Sequence, residues 1–141
     1  MIHEGLSELT KVYTPEGYSD INEVLPGTII NVGNKSGAIV ACEVGCAVCE
    51  SLDNLLLVIF RDNTSLVCTR GLQFLMVDGS VKRADQLIYE DSLKTSDGSV
   101  VQVKSVSFYY KSMNIYSFML KYNTDPRFVE VHNHIYACIG Q

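Results

Sequence analysis

A mainly β fold built from short strands follows from three features of the sequence. Turn-forming residues recur at short intervals, the segments between them are rich in Val, Ile, Thr, Tyr and Phe, and no long stretch carries a 3.6-residue apolar period. The turn signals are Pro15-Glu16-Gly17, Pro26-Gly27, Gly33-Asn34-Lys35-Ser36-Gly37, Asp62-Asn63, Asp78-Gly79, Asp97-Gly98 and Asn123-Thr124-Asp125-Pro126. Many strands at this spacing argue for a sandwich, barrel or folded sheet assembly rather than alternating βαβ units.

Taken in order, the turns delimit strands over Lys11 to Thr14, Thr28 to Val32, Ala38 to Val44, Leu55 to Phe60, Ser65 to Thr69, Val100 to Phe108, Ile115 to Lys121 and Arg127 to Val131. Leu55 to Phe60 is the longest apolar run and is strand-sized, far short of the roughly 18 residues a spanning helix needs. The best helical candidates are the brief Asp20 to Leu25 and Lys82 to Leu87 stretches, so helix is a minor component.

A weak internal repeat runs through these elements. Val12 to Gly17, Ile21-Asn22-Glu23-Val24 and Pro26 to Ile29 form one copy, and Phe74 to Gly79, Ala84-Asp85-Gln86-Leu87 and Glu90 to Leu93 form the second. Each reads as strand, tight turn, a polar stretch with an apolar-acidic-amide-apolar order, then a new strand, which suits two related halves packed together.

Length and composition set the outer bounds. At 141 residues, 47% hydrophobic and 19% charged, the chain reads as one folded domain over residues 1–141. A net charge of -5 gives no electrostatic footprint for nucleic acid or an anionic membrane. The expectation is a soluble monomer without cofactor. No leader is visible after Met1, and five cysteines, an odd number, point to reduced thiols in a cytoplasmic setting.

Two clusters carry potential chemistry. Cys42, Cys46 and Cys49 have C-x3-C-x2-C spacing, and with Cys68 they form a conceivable zinc set, but paired C-x2-C knuckles are missing. Packing as small buried residues is the stronger reading for these thiols. His132-Asn133-His134 places two imidazoles around an amide, an arrangement able to transfer protons, bind metal or assist asparagine attack on its own carbonyl; a solvated surface turn is the plain alternative. No phosphate loop, nucleophile elbow or paired-carboxylate motif is present.

In sequence order, these segments resemble a Hint domain, the fold shared by inteins and hedgehog-type autoprocessing domains. Leu6-Ser7-Glu8-Leu9-Thr10-Lys11-Val12-Tyr13-Thr14-Pro15-Glu16-Gly17 resembles the N-terminal intein block Cys-Leu-Ser-x-x-Thr-x-Val-x-Thr-x-x-Gly. Ser65 to Leu75 resembles the second block, in which Thr-x-x-His precedes an apolar strand and an Asp-Gly turn, and Asp78-Gly79 follows. Ile115 to Leu120 and Phe128 to Asn133 resemble the C-terminal blocks. The resemblance implies a horseshoe of short strands with pseudo-twofold halves, and self-catalysed rearrangement of flanking extein peptide bonds in cis through a thioester and asparagine cyclisation.

The departures from that pattern bear on activity. The nucleophile position falls on Gly5, which has no side chain, and Met1 to Glu4 become an upstream extein remnant. Thr69 matches the block-two threonine, but the histidine position is Leu72, which has no proton to give. His132-Asn133 matches the terminal His-Asn pair, leaving 134–141 as downstream sequence that starts with His134 rather than a nucleophile. Alternatively, His134-Ile135-Tyr136-Ala137 matches the preceding aromatic block, and 134–141 is a divergent C-terminal block. The combined expectation is an inactivated intein-like domain, with a non-enzymatic interaction or structural module that reuses the fold as the rival.

Overall fold

The computed structural model describes residues 2–33, 38–121 and 128–139. Its strands are β1 (Leu6–Ser7), β2 (Lys11–Thr14), β3 (Gly17–Asp20), β4 (Ile29–Gly33), β5 (Ile39–Leu52), β6 (Leu55–Phe60) and β7 (Ser65–Cys68). They continue as β8 (Gln73–Leu75), β9 (Val81–Arg83), β10 (Ser92–Leu93), β11 (Val101–Tyr109), β12 (Met113–Leu120), β13 (Phe128–Glu130) and β14 (Tyr136–Cys138). Twelve strands form one curled antiparallel sheet in the order β10-β11-β6-β7-β1-β12-β5-β4-β13-β14-β8-β9, and β2 and β3 form a separate hairpin. The helical candidates are single 3-10 turns, Ile21–Glu23 and Ala84–Gln86, each burying its first residue. Among the described residues no helix is long and apolar enough to cross a membrane.

The two halves repeat hydrogen bond for hydrogen bond. Ile21 N–H donates to the Thr10 carbonyl as Ala84 N–H does to Leu72, and Gly27 N–H donates to Val44 as Glu90 N–H does to Val103. Thr10 N–H reaches the Ser7 carbonyl as Leu72 N–H reaches Thr69, so Ser7 and Thr69, and Thr10 and Leu72, are structural counterparts. Both copies need left-handed backbone at the second turn: Gly27 has φ 94°, whereas Glu90 adopts φ 72° with a side chain in place.

Alternating side chains of the curled sheet, Leu6, Ile30, Val58, Phe60, Phe74 and Phe118 among them, converge on one core that Val12 of the separate hairpin and Leu72 of the β7–β8 turn complete. A smaller cluster on the opposite face joins Ile2 to Leu55, Val67 and Ile115. Tyr136 is fully buried against Gly33, where an added Cβ would overlap its Cε1.

One strand is much longer than the sequence suggests. β5 runs on through the cysteine cluster to Leu52 because β12 pairs with it from Met113↔Leu52 to Leu120↔Val44, with a bulge at Gly45. Tertiary pairing overrides the weak local signal of Gly, Cys and Ala. Cys42, Cys46 and Cys49 are therefore strung along extended backbone, with the outer two about 23 Å apart, and Cys46 and Cys49 are exposed. Together with Cys68 on β7 they do not converge, and among the described residues no three His, Cys, Asp or Glu side chains are placed to hold a metal ion.

Candidate functional site

Gly5 and Thr69 meet at a candidate N-terminal junction, where β1 lies between β7 and β12. Leu6 pairs with Cys68 on one side and Tyr116 on the other. This ladder brings Gly5 and Thr69 together: the Gly5 N–H donates to Thr69 Oγ1 at 3.0 Å, and the Thr69 N–H donates to the Gly5 carbonyl at 3.1 Å. Both residues are buried. The amide of the Glu4–Gly5 peptide bond is thus held by the one hydroxyl that the block-two motif retains.

There is no room at position 5 for a side chain. A Cβ built on Gly5 lies 2.5 Å from Ile115 Cγ2, 2.8 Å from Ile2 Cγ2 and 2.9 Å from the Tyr116 carbonyl oxygen. Leu72 is fully buried in the main core, its N–H bonded to the Thr69 carbonyl at 3.3 Å. Beside the junction, a cleft of about 650 Å³ is lined by Ile2, Asn54, Thr69, Arg70, Gln73 and Arg83, among others. Arg70 Nε donates to Asn54 Oδ1 at 3.2 Å and its guanidinium lies over the Phe108 ring. Cys68, next to Thr69, is no substitute nucleophile, because burial pushes its thiol up to about 12.

His132, Asn133 and His134 form a turn elsewhere in the sheet. His132 Nδ1 accepts the Lys11 N–H at 3.5 Å, and Nε2 meets the Ser65 carbonyl at 3.1 Å. A carbonyl only accepts, so the ring is the neutral Nε2–H tautomer, and burial holds its pKa below the ordinary histidine value. The Asn133 amide donates to Thr64 Oγ1. Thr64 and Thr69 stand at opposite ends of β7, roughly 16 Å apart along the strand. The structure therefore brings Gly5, Thr69 and Leu72 into one neighbourhood and the three residues 132–134 into another.

The second neighbourhood contains groups that sequence reading missed. Glu130, 3% exposed, accepts from Asn31 Nδ2 at 3.1 Å, from the Ser96 hydroxyl and from His134 Nδ1 at 2.9 Å. The Tyr13 ring stacks on His134 with centroids 4.4 Å apart, and its hydroxyl lies 3.4 Å from His134 Nε2. Asp97 Oδ2 is 3.8 Å from the same nitrogen. Ser99, through its hydroxyl and N–H, holds the Asp97 carboxyl down at about 2. The only local sequence signal was the i,i+4 spacing of Glu130 and His134; Tyr13 and Asp97 arrive from distant segments.

After this turn, β14 pairs with β13 and β8, with Ala137 opposite Phe74 and Cys138 opposite Gln73. The antiparallel register points the chain at Cys138–Ile139 toward the Thr69–Leu72 turn. No family model and no curated protein matches the sequence, but solved structures do. A bacterial intein-like domain from Clostridium thermocellum is similar over 97% of this chain and 99% of its own, with a TM-score of 0.84 and 18% identity. The chain has the intein fold. A DnaB intein from Synechocystis sp. PCC 6803 covers 97% of this chain and 99% of its own at TM-score 0.80 and 15% identity, and the MchDnaB-1 intein covers 94% and 98% at 0.75 and 18%. In this intein fold, the Gly5–Thr69 contact sits between the central strands, and residues 136–138 are interior sheet residues.

Proposed function

We propose that this chain is an intein-like autoprocessing domain acting on flanking segments in cis, whose first acyl-transfer step is blocked in the present sequence. One observation carries the reading: Thr69 grips the amide of the Glu4–Gly5 bond, while the position that must attack that bond is a glycine packed shut. In the rearrangement implied by the family, a side-chain thiol or hydroxyl at position 5 adds to the Glu4 carbonyl, and the amide nitrogen leaves with a proton. Gly5 supplies no nucleophile, and Leu72 supplies no proton at the place of the block-two histidine. Thr69 keeps its part, a hydrogen bond to the leaving nitrogen.

At the other end, the separation of Asn133 from the junction favours the register in which His134 to Ala137 is the aromatic block. The burial of β14 supports treating 134–139 as part of the domain rather than as downstream sequence. His132 and Asn133 then act as struts, tying β2 and the β6–β7 turn together. The rival, a non-enzymatic module on the same fold, draws support from how completely packing fills positions 5 and 72.

The deciding experiment places the chain between two foreign domains and compares it with Gly5→Cys, Leu72→His and Ile115→Ala in combination, with and without thiol. Ile115→Ala removes the Cγ2 atom that blocks a Cβ at position 5. Thiol-dependent fragments whose intact masses fit cleavage before residue 5 support the autoprocessing reading. A folded triple variant that stays uncleaved overturns it in favour of the binding module.

A further inference from the structure

The outer edge of β11 belongs to neither the junction nor the turn at 132–134, and most of its length has no partner strand. β10 pairs with β11 only at Val101 and Gln102, and the Asp91 carbonyl and Glu90 N–H take up Val103. From Ser105 to Tyr109 the strand is paired on its β6 side alone among the described residues. The register fixes which groups face outward. Phe60 N–H turns toward β7, where it reaches the Thr64 carbonyl, so Ile59, Leu57 and Leu55 turn toward β11, opposite Ser105, Ser107 and Tyr109. Val106 and Phe108 therefore direct their N–H and C=O groups away from β6, an open template for another strand.

The side chains of this edge are apolar, and its charges are of one sign. Val106 and Phe108 stand opposite Val58 and Leu56 on the core face; Phe108 is 43% exposed and meets Tyr110, 88% exposed, edge to face. Between Asp97 and Asp125 the sequence holds three lysines and no acid, in a chain of net charge -5. Lys104, its Nζ held by Asn63 Oδ1 at 3.1 Å, marks one end of the open stretch, and Arg70 marks the other. Arg70 Nε donates to Asn54 Oδ1 and the guanidinium lies 5.8 Å from the Phe108 ring centre, while its two Nη groups have no hydrogen-bond partner among the described residues. A guanidinium anchored at Nε and backed by a ring, with both Nη groups free, is set for a carboxylate. The neighbouring acids do not take that place: Glu90 pairs with Arg61 at 3.6 Å, Asp62 accepts from Thr64, and no ion pair joins Asp53 to Arg70 among the described residues.

We propose that β11 is a docking edge for an acidic, extended segment of a partner protein. The segment continues the row of β10, bonds the outward backbone groups of Val106 and Phe108, lays an apolar side chain beside theirs, and sets one carboxylate on Arg70 and another near Lys104. Lys104 and Phe108 are about 14 Å apart along the strand, the span of about five extended residues. A positive edge on an acidic chain steers such a partner to this place. A second copy of the chain is the poorer occupant, because pairing β11 with β11 gathers Lys104 and Arg70 of both copies at one seam. The docking edge is independent of the autoprocessing reading, and its test measures no cleavage.

The test titrates the isotope-labelled chain with the acetylated and amidated peptide Glu-Val-Thr-Val-Glu, with Lys-Val-Thr-Val-Lys as the control, and follows amide resonances. Saturable shifts centred on Val106, Phe108 and Arg70 Nε, slowed exchange of the Val106 and Phe108 amides in the bound state, and weakening by added salt support the edge. Arg70 is exposed, so Arg70→Gln leaves the fold intact, and it weakens the acidic peptide at least about tenfold, the loss of one charge-assisted hydrogen bond. Equal affinity for the lysine peptide, shifts centred elsewhere, no saturation below about 5 mM peptide, or unchanged affinity in Arg70→Gln overturns the proposal. So do Val106 and Phe108 amides that are already as protected as those of Ser105 and Ser107 in the free chain. A dimer in sedimentation that Val106→Pro dissolves overturns it in favour of a second copy.

Discussion

Gly5→Ala tests the closed junction without any chemistry. Carbon atoms pack best about 3.5–4.0 Å apart, so contacts of 2.5 Å to Ile115 Cγ2 and 2.8 Å to Ile2 Cγ2 are deep overlaps. The third contact, 2.9 Å, is to the Tyr116 carbonyl in the β1–β12 ladder, where Leu6 is the paired residue, so the backbone has little freedom to retreat. Ile2 can swing away with its segment, but Ile115 is fully buried and pinned. Overpacking of one methyl costs about 1–3 kcal/mol, and three simultaneous contacts, one of them backbone, place this site near the top of that range. Replacing glycine also restricts the unfolded chain, which returns about 0.4–1 kcal/mol. The expected net loss is about 2 kcal/mol, or roughly 6 °C in Tm for a domain of this size. Urea unfolding followed by tyrosine fluorescence reads it, since the chain has eight tyrosines and no tryptophan. The decisive quantity is the coupling with Ile115→Ala: relief of the clash gives an interaction energy of at least about 1 kcal/mol in a double-mutant cycle. A Gly5→Ala variant within about 0.5 kcal/mol of the parent, or one showing no coupling, refutes the argument that position 5 is sterically closed.

Three further outcomes follow from the same geometry. Thr69→Val leaves the buried Gly5 N–H without its acceptor, a loss of about 1–3 kcal/mol, and amide exchange at Gly5 accelerates while distant strands stay protected. Thr10→Val raises stability by about 1 kcal/mol in urea melts, because the buried Thr10 hydroxyl has no hydrogen-bond partner among the described residues and the substitution removes a desolvated polar group. Stability falls on the alkaline side: burial raises Cys68 and Tyr136 to about 12 in the folded state, so the unfolded chain releases these protons first. Each contributes stability that is complete below its unfolded pKa and is lost at about 1.4 kcal/mol per pH unit between that value and 12, and Cys68→Ala flattens the slope measured from pH 9 upward.

What was legible in the sequence was what local physics decides. β2 and β6 match their expected bounds because Pro15-Glu16-Gly17 and Asp62-Asn63 end them sharply, and both 3-10 turns fall inside their predicted stretches. The repeat could be read because each copy uses the same turn chemistry at Gly17 and Gly79, both at positive φ. β1, β3, β9 and β14 went unread as strands: each is only two to four residues long, and β1 and β14 exist by pairing with partners far away in sequence, Leu6 with Tyr116 and Cys138 with Gln73. The second half of β5 was hidden for the same reason. At the site, the motif named Gly5 and Thr69 together, and both flank the short ladder that joins them. It carried no information on the distance to Asn133, which depends on the sheet's path, nor on Glu130, Asp97 and Tyr13, which share no segment.

Under the autoprocessing proposal, Gly5 and Leu72 stand where catalytic groups would be. A catalytic group lost by drift leaves a gap, because the surrounding packing was shaped around a side chain that is gone, and such a gap carries a cavity cost. Neither position shows one. At Gly5 the space is filled by Ile115 and Ile2, and at position 72 a leucine completes the core in the place where its counterpart, Thr10, buries an idle hydroxyl. Restoring cysteine and histidine alone therefore opposes the present packing twice: a side chain forced against Ile115, and an imidazole placed in an apolar core that favours its neutral form. Activity in a repaired chain depends on making room as well as on supplying the groups, and this is why Ile115→Ala belongs in the variant that decides between an autoprocessing domain and a binding module.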